Sequence, residues 1–211
     1  MPICLIAGAA PEASPPPEPV DFIIAADGGY RHLARWGLRP DLLLGDMDSL
    51  EDIPAGIPLR RYPPEKDDTD LALALREGMA RGYRDFLLTG VCGGRPDMTA
   101  AAFQILLWAA RQGLRAELLA AGFRAAALPG PGTLRLRGKG TVSVLAAGGP
   151  AKGVAVRGLR YPLEGATLRE DIPLGVSNEL DGEGTVSLAE GALLVFREEG
   201  ITAERERGGL H

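Results

Sequence analysis

The sequence is short of cysteine, histidine, aromatic residues and positive charge. Its 211 residues include two cysteines, two histidines and 5% aromatic residues, and the formal net charge is −5 at pH 7. Cys4 and Cys92 form neither a metal motif nor a disulfide framework, so we interpret them as buried packing residues in a reducing cytoplasm. The acidic balance argues against a nucleic-acid-binding surface, which usually carries an excess of basic residues.

Long hydrophobic runs are also absent. No apolar segment reaches the length of a transmembrane helix, and no basic start precedes a short hydrophobic one. We therefore expect a cytoplasmic protein that does not attach to a membrane. With 45% hydrophobic residues, the chain supplies a sizeable core for one or two domains.

The most informative stretch is Gly45–Ser49, in which Asp46 and Asp48 follow the apolar run 42–44. Two carboxylates one residue apart at the end of a buried strand repel each other, and partial burial favours their neutral forms. A bound divalent cation offsets the repulsion and stabilises the ionised carboxylates. Oxygen ligands suit Mg²⁺, which binds one or two protein carboxylates together with substrate phosphates. The alternative is an ordinary turn in which aspartate accepts hydrogen bonds from backbone N–H groups.

Polar residues follow three further apolar runs in the same way. In chain order the four groups are Asp27 with Gly28 and Gly29, Asp46 with Asp48, Lys66 with Asp67 and Asp70, and Arg95 with Asp97. A helix cap, a turn or a surface arginine explains each group alone. In a parallel sheet, however, the carboxyl ends of the strands share one edge, where ligands bind, so a shared rim explains all four groups together. Glycine turns before helices also present N–H groups to phosphate.

The spacing of apolar residues changes near residue 115. Before it, the pattern predicts strands at 3–7, 21–26, 42–45, 59–62 and 85–89, helices at 30–36 and 99–111, and a helix carrying Leu71, Leu75 and Met79. After it, short strand-like runs occur at 115–119, 133–136, 141–145, 153–156, 185–188 and 193–196. We predict an α/β domain with a mostly parallel, Rossmann-like sheet over residues 1–125, and an all-β sandwich domain over 126–211. Segment 8–19 is predicted to be a loop, and the charged tail from Thr202 to be frayed.

Six short motifs occur in the order found in one enzyme family. They are Ala26-Asp27-Gly28-Gly29, Gly45-Asp46-Met47-Asp48-Ser49, Lys66-Asp67-Asp68-Thr69-Asp70, Gly94-Arg95-Pro96-Asp97, Gly158-Leu159-Arg160-Tyr161-Pro162-Leu163 and Val176-Ser177-Asn178-Glu179. With these motifs the chain resembles the thiamine pyrophosphokinase (thiamine diphosphokinase) family over about residues 26 to 180. One position departs from the pattern, because the family often has Asp-His after Gly-Arg-x, whereas Asp97 is followed here by Met98.

The resemblance implies an N-terminal α/β nucleotide domain, a C-terminal β-sandwich, and a homodimer in which thiamine lies where the domains of different subunits meet. The implied reaction transfers the diphosphoryl group of ATP to the hydroxyethyl oxygen of thiamine and releases AMP. Because attack is at the β-phosphorus, catalysis depends largely on positioning and on charge neutralisation.

The same resemblance assigns expected roles to the motif residues. The expected Mg²⁺ set, binding directly or through water, is Asp46, Asp48 and Asp70. The residues expected at the nucleotide and its phosphates are Asp27, Gly28, Gly29, Lys66, Asp67 and Arg95. Either Asp97 or Asp67 is expected to take the proton of the hydroxyl group, since a carboxylate that orients the alcohol has the same sequence signature as one that accepts its proton.

Thiamine carries a positive thiazolium ring and a flat aminopyrimidine, which suit an aromatic face and a polar edge. The resemblance therefore implies that Tyr161 stacks on the ligand and that Ser177 and Asn178 bond the pyrimidine edge. Without the resemblance, Tyr161 is interpreted as an aromatic residue of the sandwich core or rim, and Ser177 with Asn178 as a β-turn.

Two other functions remain open from the sequence. A related diphosphotransferase acting on another alcohol, such as a pterin, would carry the same acidic rim, and only Tyr161 and residues 176–179 argue against it. A non-catalytic protein that binds thiamine or a nucleotide has little reason to keep a cluster of repelling carboxylates. A purely structural protein does not account for the rim.

Overall fold

The computed structural model describes residues 1–46, 55–62 and 68–206, which form two compact units. The first unit comprises Met1–Ile105 and Gln112–Ala121, and the second comprises Leu106–Arg111 and the chain from Gly122 onward. Within the described ranges, no helix has the length and apolar character needed to cross a membrane.

The first unit is a parallel sheet with helices. In chain order its elements are β1 (Ile3–Ala7), β2 (Phe22–Ala26), a 3-10 turn (Asp27–Gly29), α1 (Tyr30–Arg35), β3 (Leu42–Gly45), β4 (Leu59–Arg61), α2 (Asp70–Ala80), β5 (Asp85–Thr89), α3 (Pro96–Arg111, whose last six residues belong to the second unit) and β6 (Arg115–Ala120). The strand order is β6-β5-β1-β2-β3-β4, and every neighbouring pair is parallel. The predicted α/β character of this half is therefore confirmed.

The central strands of this sheet are buried on both faces, which explains their short, continuous apolar runs. Leu5, Ile24 and Leu43 are fully buried. α1 packs against β1 and β2, and α2 packs against β1, β2 and β3. The approach of α2 is close at Gly78, where a Cβ atom would lie only 2.5 Å from Cε1 of Phe86. Glycine at this position lets the helix rest directly on the sheet.

The two cysteines are buried and free, which confirms that they are packing residues. Burial raises the pKa of the Cys4 thiol to about 12 and that of the Cys92 thiol to about 11. Both thiols are therefore protonated at neutral pH, and a protonated thiol is a poor nucleophile.

The second unit is antiparallel. Its strands are β7 (Phe123–Pro129), β8 (Gly132–Ala146), β9 (Ala151–Leu159), β10 (Leu163–Leu168), β11 (Asn178–Leu188), β12 (Ala192–Glu198) and β13 (Thr202–Arg205). They are ordered β10-β9-β11-β8-β12-β7, and β13 also pairs with β8. Buried leucine and valine side chains, among them Leu136, Val144 and Val186, form one core. The predicted all-β character of this half is confirmed.

β8 is one continuous strand of 15 residues, where the sequence predicts two strands at 133–136 and 141–145. Gly138 and Gly140 interrupt the apolar alternation, and both have positive φ angles, 138° and 143°. A Cβ atom at Gly138 would lie 2.9 Å from the carbonyl oxygen of Gly200. The glycines therefore make room for the turn after β12, while pairing with β11 continues through both positions.

Three strands, β7, β10 and β13, lie outside the predicted set. The prediction that the tail is frayed from Thr202 is wrong for Thr202–Arg205, because these residues form β13 against Leu134–Arg137. Just beyond the strand, Glu206 accepts a hydrogen bond of 2.6 Å from Nε of Arg135. An edge strand of mostly polar residues gives little apolar signal, and its stability depends on the partner strand. The helix predicted at 99–111 begins at Pro96, a residue that suits the first turn of a helix.

Candidate functional site

Two of the predicted acidic residues lie at adjacent strand ends on the carboxyl edge of the parallel sheet. Asp27 directly follows β2, and Asp46 directly follows β3. Ala26 pairs with Leu44 in register, which makes Asp27 a neighbour of Gly45. A Cβ atom at Gly45 would lie 3.1 Å from the Cβ atom of Asp27. The register of the two strands therefore places Asp27 beside Gly45, the residue directly before Asp46.

Asp27 has an uncommon backbone conformation, with a φ angle of 49°. This left-handed region costs a non-glycine residue about 1 kcal/mol or more, although Asp and Asn tolerate it best. One carboxylate oxygen of Asp27 is buried. Gly28 and Gly29, both buried, complete the turn. Backbone strain together with a buried carboxylate at a strand end is typical of a functional site.

Asp70 is the first residue of α2. The cap of this helix comes from Thr69, whose side-chain oxygen accepts a hydrogen bond of 3.2 Å from the N–H group of Ala72. Asp68 forms an ion pair of 2.7 Å with Arg76. The cap and this ion pair therefore come from residues other than Asp70, whose carboxylate sits in the first turn, where the helix dipole favours negative charge.

Arg95 and Asp97 lie at the start of α3 and form a bidentate pair. Nη2 of Arg95 donates to Oδ2 of Asp97 at 2.6 Å, and Nε donates to Oδ1 at 3.2 Å. Both side chains are exposed, 72% and 60%, so water screens the pair and a phosphate can replace the carboxylate at little cost. The hydrogen bond from Arg95 holds the pKa of Asp97 below its usual value.

Replacing Arg95 by leucine should therefore raise the pKa of Asp97 toward its ordinary value. In the unchanged protein, Asp97 stays ionised as the pH falls toward 3.8, the ordinary pKa of aspartate. In R95L it should take up its proton at a higher pH, because the charged form loses its hydrogen-bond donor. An NMR titration of the Asp97 carboxyl carbon measures the change.

A second arginine–aspartate pair with the same spacing provides the control. Arg169 donates to Asp171 in the same two-fold way, at 2.9 and 2.6 Å, and lowers the pKa of that carboxyl. R169L should raise the pKa of Asp171 and leave Asp97 unchanged. Equal pKa values for Asp97 in R95L and in the unchanged protein would contradict the assignment.

Three predicted site residues, Asp48, Lys66 and Asp67, lie outside the described residues. The expected Mg²⁺ trio therefore contains one residue outside this range. Among the residues that the structure describes, no group of three or more histidine, cysteine, aspartate and glutamate side chains is arranged to hold a metal ion. Asp27 and Asp46 nevertheless bring carboxylates from adjacent strand ends, and hard oxygen donors of this kind suit Mg²⁺.

The second unit contains a largely apolar cavity of about 190 Å³. Branched side chains such as Val144, Leu159 and Leu174 line it, and the predicted residues Tyr161 and Asn178 bring its polar groups. Tyr161 is 56% exposed and Leu174 is 64% exposed. An apolar hollow with an aromatic ring and few polar groups is the usual form of a small-ligand site.

The side chain of Asn178 holds the backbone of Tyr161. Its Oδ1 accepts hydrogen bonds of 2.9 Å from the N–H groups of Tyr161 and of Glu179, and its Nδ2 donates to the carbonyl oxygen of Tyr161 at 2.7 Å. Arg160 lies 5.4 Å from the centre of the Tyr161 ring and also pairs with Glu179. The Asn178 amide thus positions the backbone of Tyr161, a role that the sequence alone does not indicate.

Ser177 has a left-handed backbone with φ at 57°, and its N–H group donates to Oγ of Ser143 at 2.9 Å. The residues just before it close one wall of the cavity, because Val144 N–H donates to the carbonyl oxygen of Gly175 at 2.8 Å. Leu174 and Val176 also line the cavity. Sequence reasoning missed these wall residues, and the only signal for them is the apolar run within an otherwise polar loop.

The fold and the two sites define the class of protein. A parallel α/β unit with carboxylates at its strand ends is followed by an antiparallel unit with an apolar cavity, as in two-domain α/β-plus-β enzymes. Two family models match the chain: "Thiamin pyrophosphokinase, catalytic domain" over residues 18–118, and "Thiamin pyrophosphokinase, vitamin B1 binding domain" over residues 133–193. The chain belongs to the thiamine pyrophosphokinase family.

Individual relatives agree with this assignment. The thiamine pyrophosphokinase of Bacillus subtilis is 28% identical over 184 residues, which is 82% of this chain and 86% of the relative. The crystal structure of thiamine pyrophosphokinase from Bacillus subtilis has a TM-score of 0.83 at 23% identity, covering 93% of this chain and 98% of that one. The structure from Geobacillus thermodenitrificans has a TM-score of 0.78 at 27% identity and covers 93% and 97%.

Proposed function

We propose that this enzyme transfers the diphosphoryl group of ATP to the hydroxyl group of thiamine, giving thiamine diphosphate and AMP. The observation that carries the proposal is the position of Asp27 beside Gly45, directly before Asp46, at the edge of a parallel sheet where ligands bind. In the reaction, the thiamine oxygen forms a bond to the β-phosphorus, the bond from that phosphorus to the α–β bridging oxygen breaks, and AMP leaves with that oxygen. The residues must therefore position two substrates and neutralise phosphate charge.

The acidic residues suit Mg²⁺ as the cofactor. Asp46, Asp48 and Asp70 would hold the ion, directly or through water. When bound, Mg²⁺ neutralises phosphate charge and orients the phosphate oxygens. What supports this fit is the donor chemistry, since Asp27 and Asp46 follow adjacent strand ends, and neighbouring carboxylates are unfavourable without a cation.

The remaining residues of the rim bind ATP and accept the proton. Arg95 offers a planar fork of donors that suits phosphate, and we propose that it exchanges Asp97 for ATP when the nucleotide binds. Lys66 adds a second positive charge. Asp27, Gly28, Gly29 and Asp67 complete the nucleotide contacts in this proposal. The proton of the thiamine hydroxyl passes to the carboxylate of Asp97 or Asp67, and Asp97 becomes available for this role once Arg95 has moved from it to the nucleotide.

The apolar cavity of the second unit is the proposed thiamine site. Tyr161 presents an aromatic face to which a cation is already drawn, as the position of Arg160 illustrates. Ser177 would bond the aminopyrimidine, and Asn178 would act at the same edge or through Tyr161, which its amide holds. Apolar side chains are exposed on the loop that closes the cavity, among them Ile172 and Leu174. A second subunit would cover them.

We further propose that the domains predicted at 1–125 and 126–211 are a Rossmann-like nucleotide domain and a thiamine-binding, dimer-forming sandwich, divided at Gly122 rather than at residue 125 so that β7 belongs whole to the sandwich. The parallel strand pairing of the first unit favours the former, and the sharing of β8 between β11 and β12 favours the latter. Free, buried cysteines are consistent with the proposed cytoplasmic location.

The direct test is a product assay with the purified protein, MgATP and thiamine. We expect AMP and thiamine diphosphate in equal amounts, and no product after EDTA removes the metal. A hydroxymethylated pterin in place of thiamine is the substrate control, and turnover with the pterin alone would favour the related diphosphotransferase. Formation of ADP, or tight thiamine binding without AMP, would contradict the proposal.

Replacing Tyr161 by alanine should raise KM for thiamine about tenfold and leave KM for ATP nearly unchanged. The expected effect follows from the loss of an aromatic face that stacks on a cationic ligand. Y161F keeps the ring and should behave like the unchanged enzyme. Steady-state kinetics with each substrate varied in turn measure both constants, and equal losses for ATP and thiamine would contradict the role.

A further inference from the structure

The segment Gly8–Ser14, which we call the strap, runs beside the loop that follows β5. Three hydrogen bonds join their backbones: Gly8 N–H to Thr89 O at 2.8 Å, Ala10 N–H to Gly90 O at 2.8 Å, and Glu12 N–H to Cys92 O at 3.1 Å. The sequence predicts only a loop here. The structure instead gives it a ladder of contacts like that of an added strand.

The strap and the loop after β5 approach each other closely along their backbones. A Cβ atom at Gly90 would lie 2.2 Å from the carbonyl oxygen of Gly8, and one at Gly93 would lie 2.4 Å from Cγ of Glu12. Gly90 also has a left-handed φ of 63°. The same loop continues into Arg95 and Asp97. The strap therefore supports the segment that carries these two side chains.

One buried side chain anchors the strap near its start. Nε2 of His32 lies 2.9 Å from the carbonyl oxygen of Ala10, and because a carbonyl only accepts, the histidine nitrogen is the donor. His32 is buried and stacks on Trp36, with ring centres 5.8 Å apart. Its Cδ2 atom is also near Gly90, where a Cβ would come within 3.1 Å. His32 lies on α1, directly after the Asp27–Gly29 turn.

A second anchor lies at the other end of the strap. Oγ1 of Thr89 donates to the carbonyl oxygen of Ser14 at 2.8 Å and accepts a hydrogen bond from the N–H group of Ser14 at 3.0 Å. Thr89 is fully buried and Ser14 is nearly so. Hydrogen bonds in such surroundings are costly to lose, because the groups left behind have no water to bond.

We propose that His32 is a positioning residue for ATP: by holding the Ala10 carbonyl it fixes the strap, and through the strap the loop from Gly90 to Asp97. His32 thereby joins the loops after β1, β2 and β5 at one edge of the sheet. The inference rests on the proposed function only in naming ATP as the ligand. Loosening the strap lowers the fraction of molecules with a competent site, which weakens binding without altering the chemistry of the bound complex.

The test compares three variants of the whole protein. His32→Leu removes the donor, His32→Gln retains a nitrogen donor on a side chain of similar reach, and Arg35→Leu places leucine at an exposed position of the same helix. For H32L we expect the calorimetric Kd for MgATP to rise about tenfold, with kcat at saturating substrates changed less than about twofold. H32Q should recover most of the affinity, and R35L should match the unchanged protein.

Hydrogen exchange gives a readout that does not depend on turnover. The amides of Ala10 and Glu12 should exchange faster in H32L than in H32Q or R35L, because the strap opens more often. The proposal is overturned by an unchanged Kd for MgATP in H32L, whether or not the amides lose protection. It is also overturned if H32Q is as impaired as H32L, since ring packing rather than the hydrogen bond would then be responsible.

Thr89→Val provides an independent variant in case H32L does not fold. It preserves the shape of the threonine while removing both bonds to Ser14, and we expect a weaker affinity for MgATP with kcat retained. A folded T89V with an unchanged Kd would overturn the role of the strap. If the unchanged protein binds MgATP but forms no AMP with thiamine, the proposed function fails, and the exchange and binding data still decide the role of His32.

Discussion

Replacing Asp46 by asparagine should lower kcat about a thousandfold while leaving the fold intact. Asp46 follows β3 at the edge of the sheet, one position beyond Gly45, which lies against Asp27. In the proposed mechanism its charge binds Mg²⁺, and an amide of the same shape supplies an oxygen without that charge. The loss therefore falls on phosphate neutralisation rather than on packing. Steady-state turnover at saturating ATP and thiamine, over a range of Mg²⁺ concentrations, measures the effect.

A charge-matched control is available at the opposite edge of the same sheet. Asp21 precedes β2, and its Oδ2 accepts a hydrogen bond of 2.7 Å from the N–H group of Ile3. D21N removes the same charge, but an asparagine oxygen can still accept this bond, so kcat should stay close to that of the unchanged enzyme. The melting temperature of D46N should not fall, because the carboxylates at the rim repel one another. Wild-type turnover in D46N, or an equal loss of turnover in D21N, would show that Asp46 has no specific role in catalysis.

The parallel half of the fold is predictable because its strands are buried on both faces. Apolar runs such as Ile3–Ala7 and Leu42–Gly45 match β1 and β3 residue for residue, since every side chain of such a strand faces a core. Because the carboxyl ends of parallel strands share one edge of the sheet, Asp27 and Asp46 can then be placed at that edge without any knowledge of contacts. These predictions depend on local pattern and on a general rule of topology, and both are present in the sequence.

The antiparallel half is less predictable because partners decide its strands. β8 continues through Gly138 and Gly140 only because β11 pairs with both positions, and neither glycine favours a strand by itself. β13 is strand-like only beside β8. The use of the Asn178 amide depends likewise on the chain returning to within hydrogen-bond distance of Tyr161. Long-range pairing of this kind has no local signature, and the same holds for the bond between His32 and Ala10.

Replacing Gly29 by alanine should destabilise the first unit by about 3 kcal/mol. A Cβ atom at this position would lie 1.9 Å from the carbonyl oxygen of Ala7 and 2.5 Å from its carbonyl carbon. Both are backbone atoms at the end of a buried strand, so no side-chain rotation relieves the clash. Either β1 or the Asp27–Gly29 turn must shift, and the turn carries a residue of the proposed ATP site. Urea unfolding followed by the fluorescence of Trp36, in a Trp108→Phe background, measures the change.

Two other glycines separate the clash from the ordinary effects of a methyl group. Gly37 has a φ of 69° with nothing within 4 Å of its Cβ position, so G37A should cost only about 1 kcal/mol of backbone strain. Gly200 lies in the second unit, with open space at its Cβ position and no such φ angle, so G200A should leave the unfolding of the first unit unchanged. The expected order of unfolding midpoints is therefore G200A above G37A, and G37A well above G29A. If G29A costs no more than G37A, the turn is free to move away from β1, and the rigid edge on which the proposed ATP site depends does not exist.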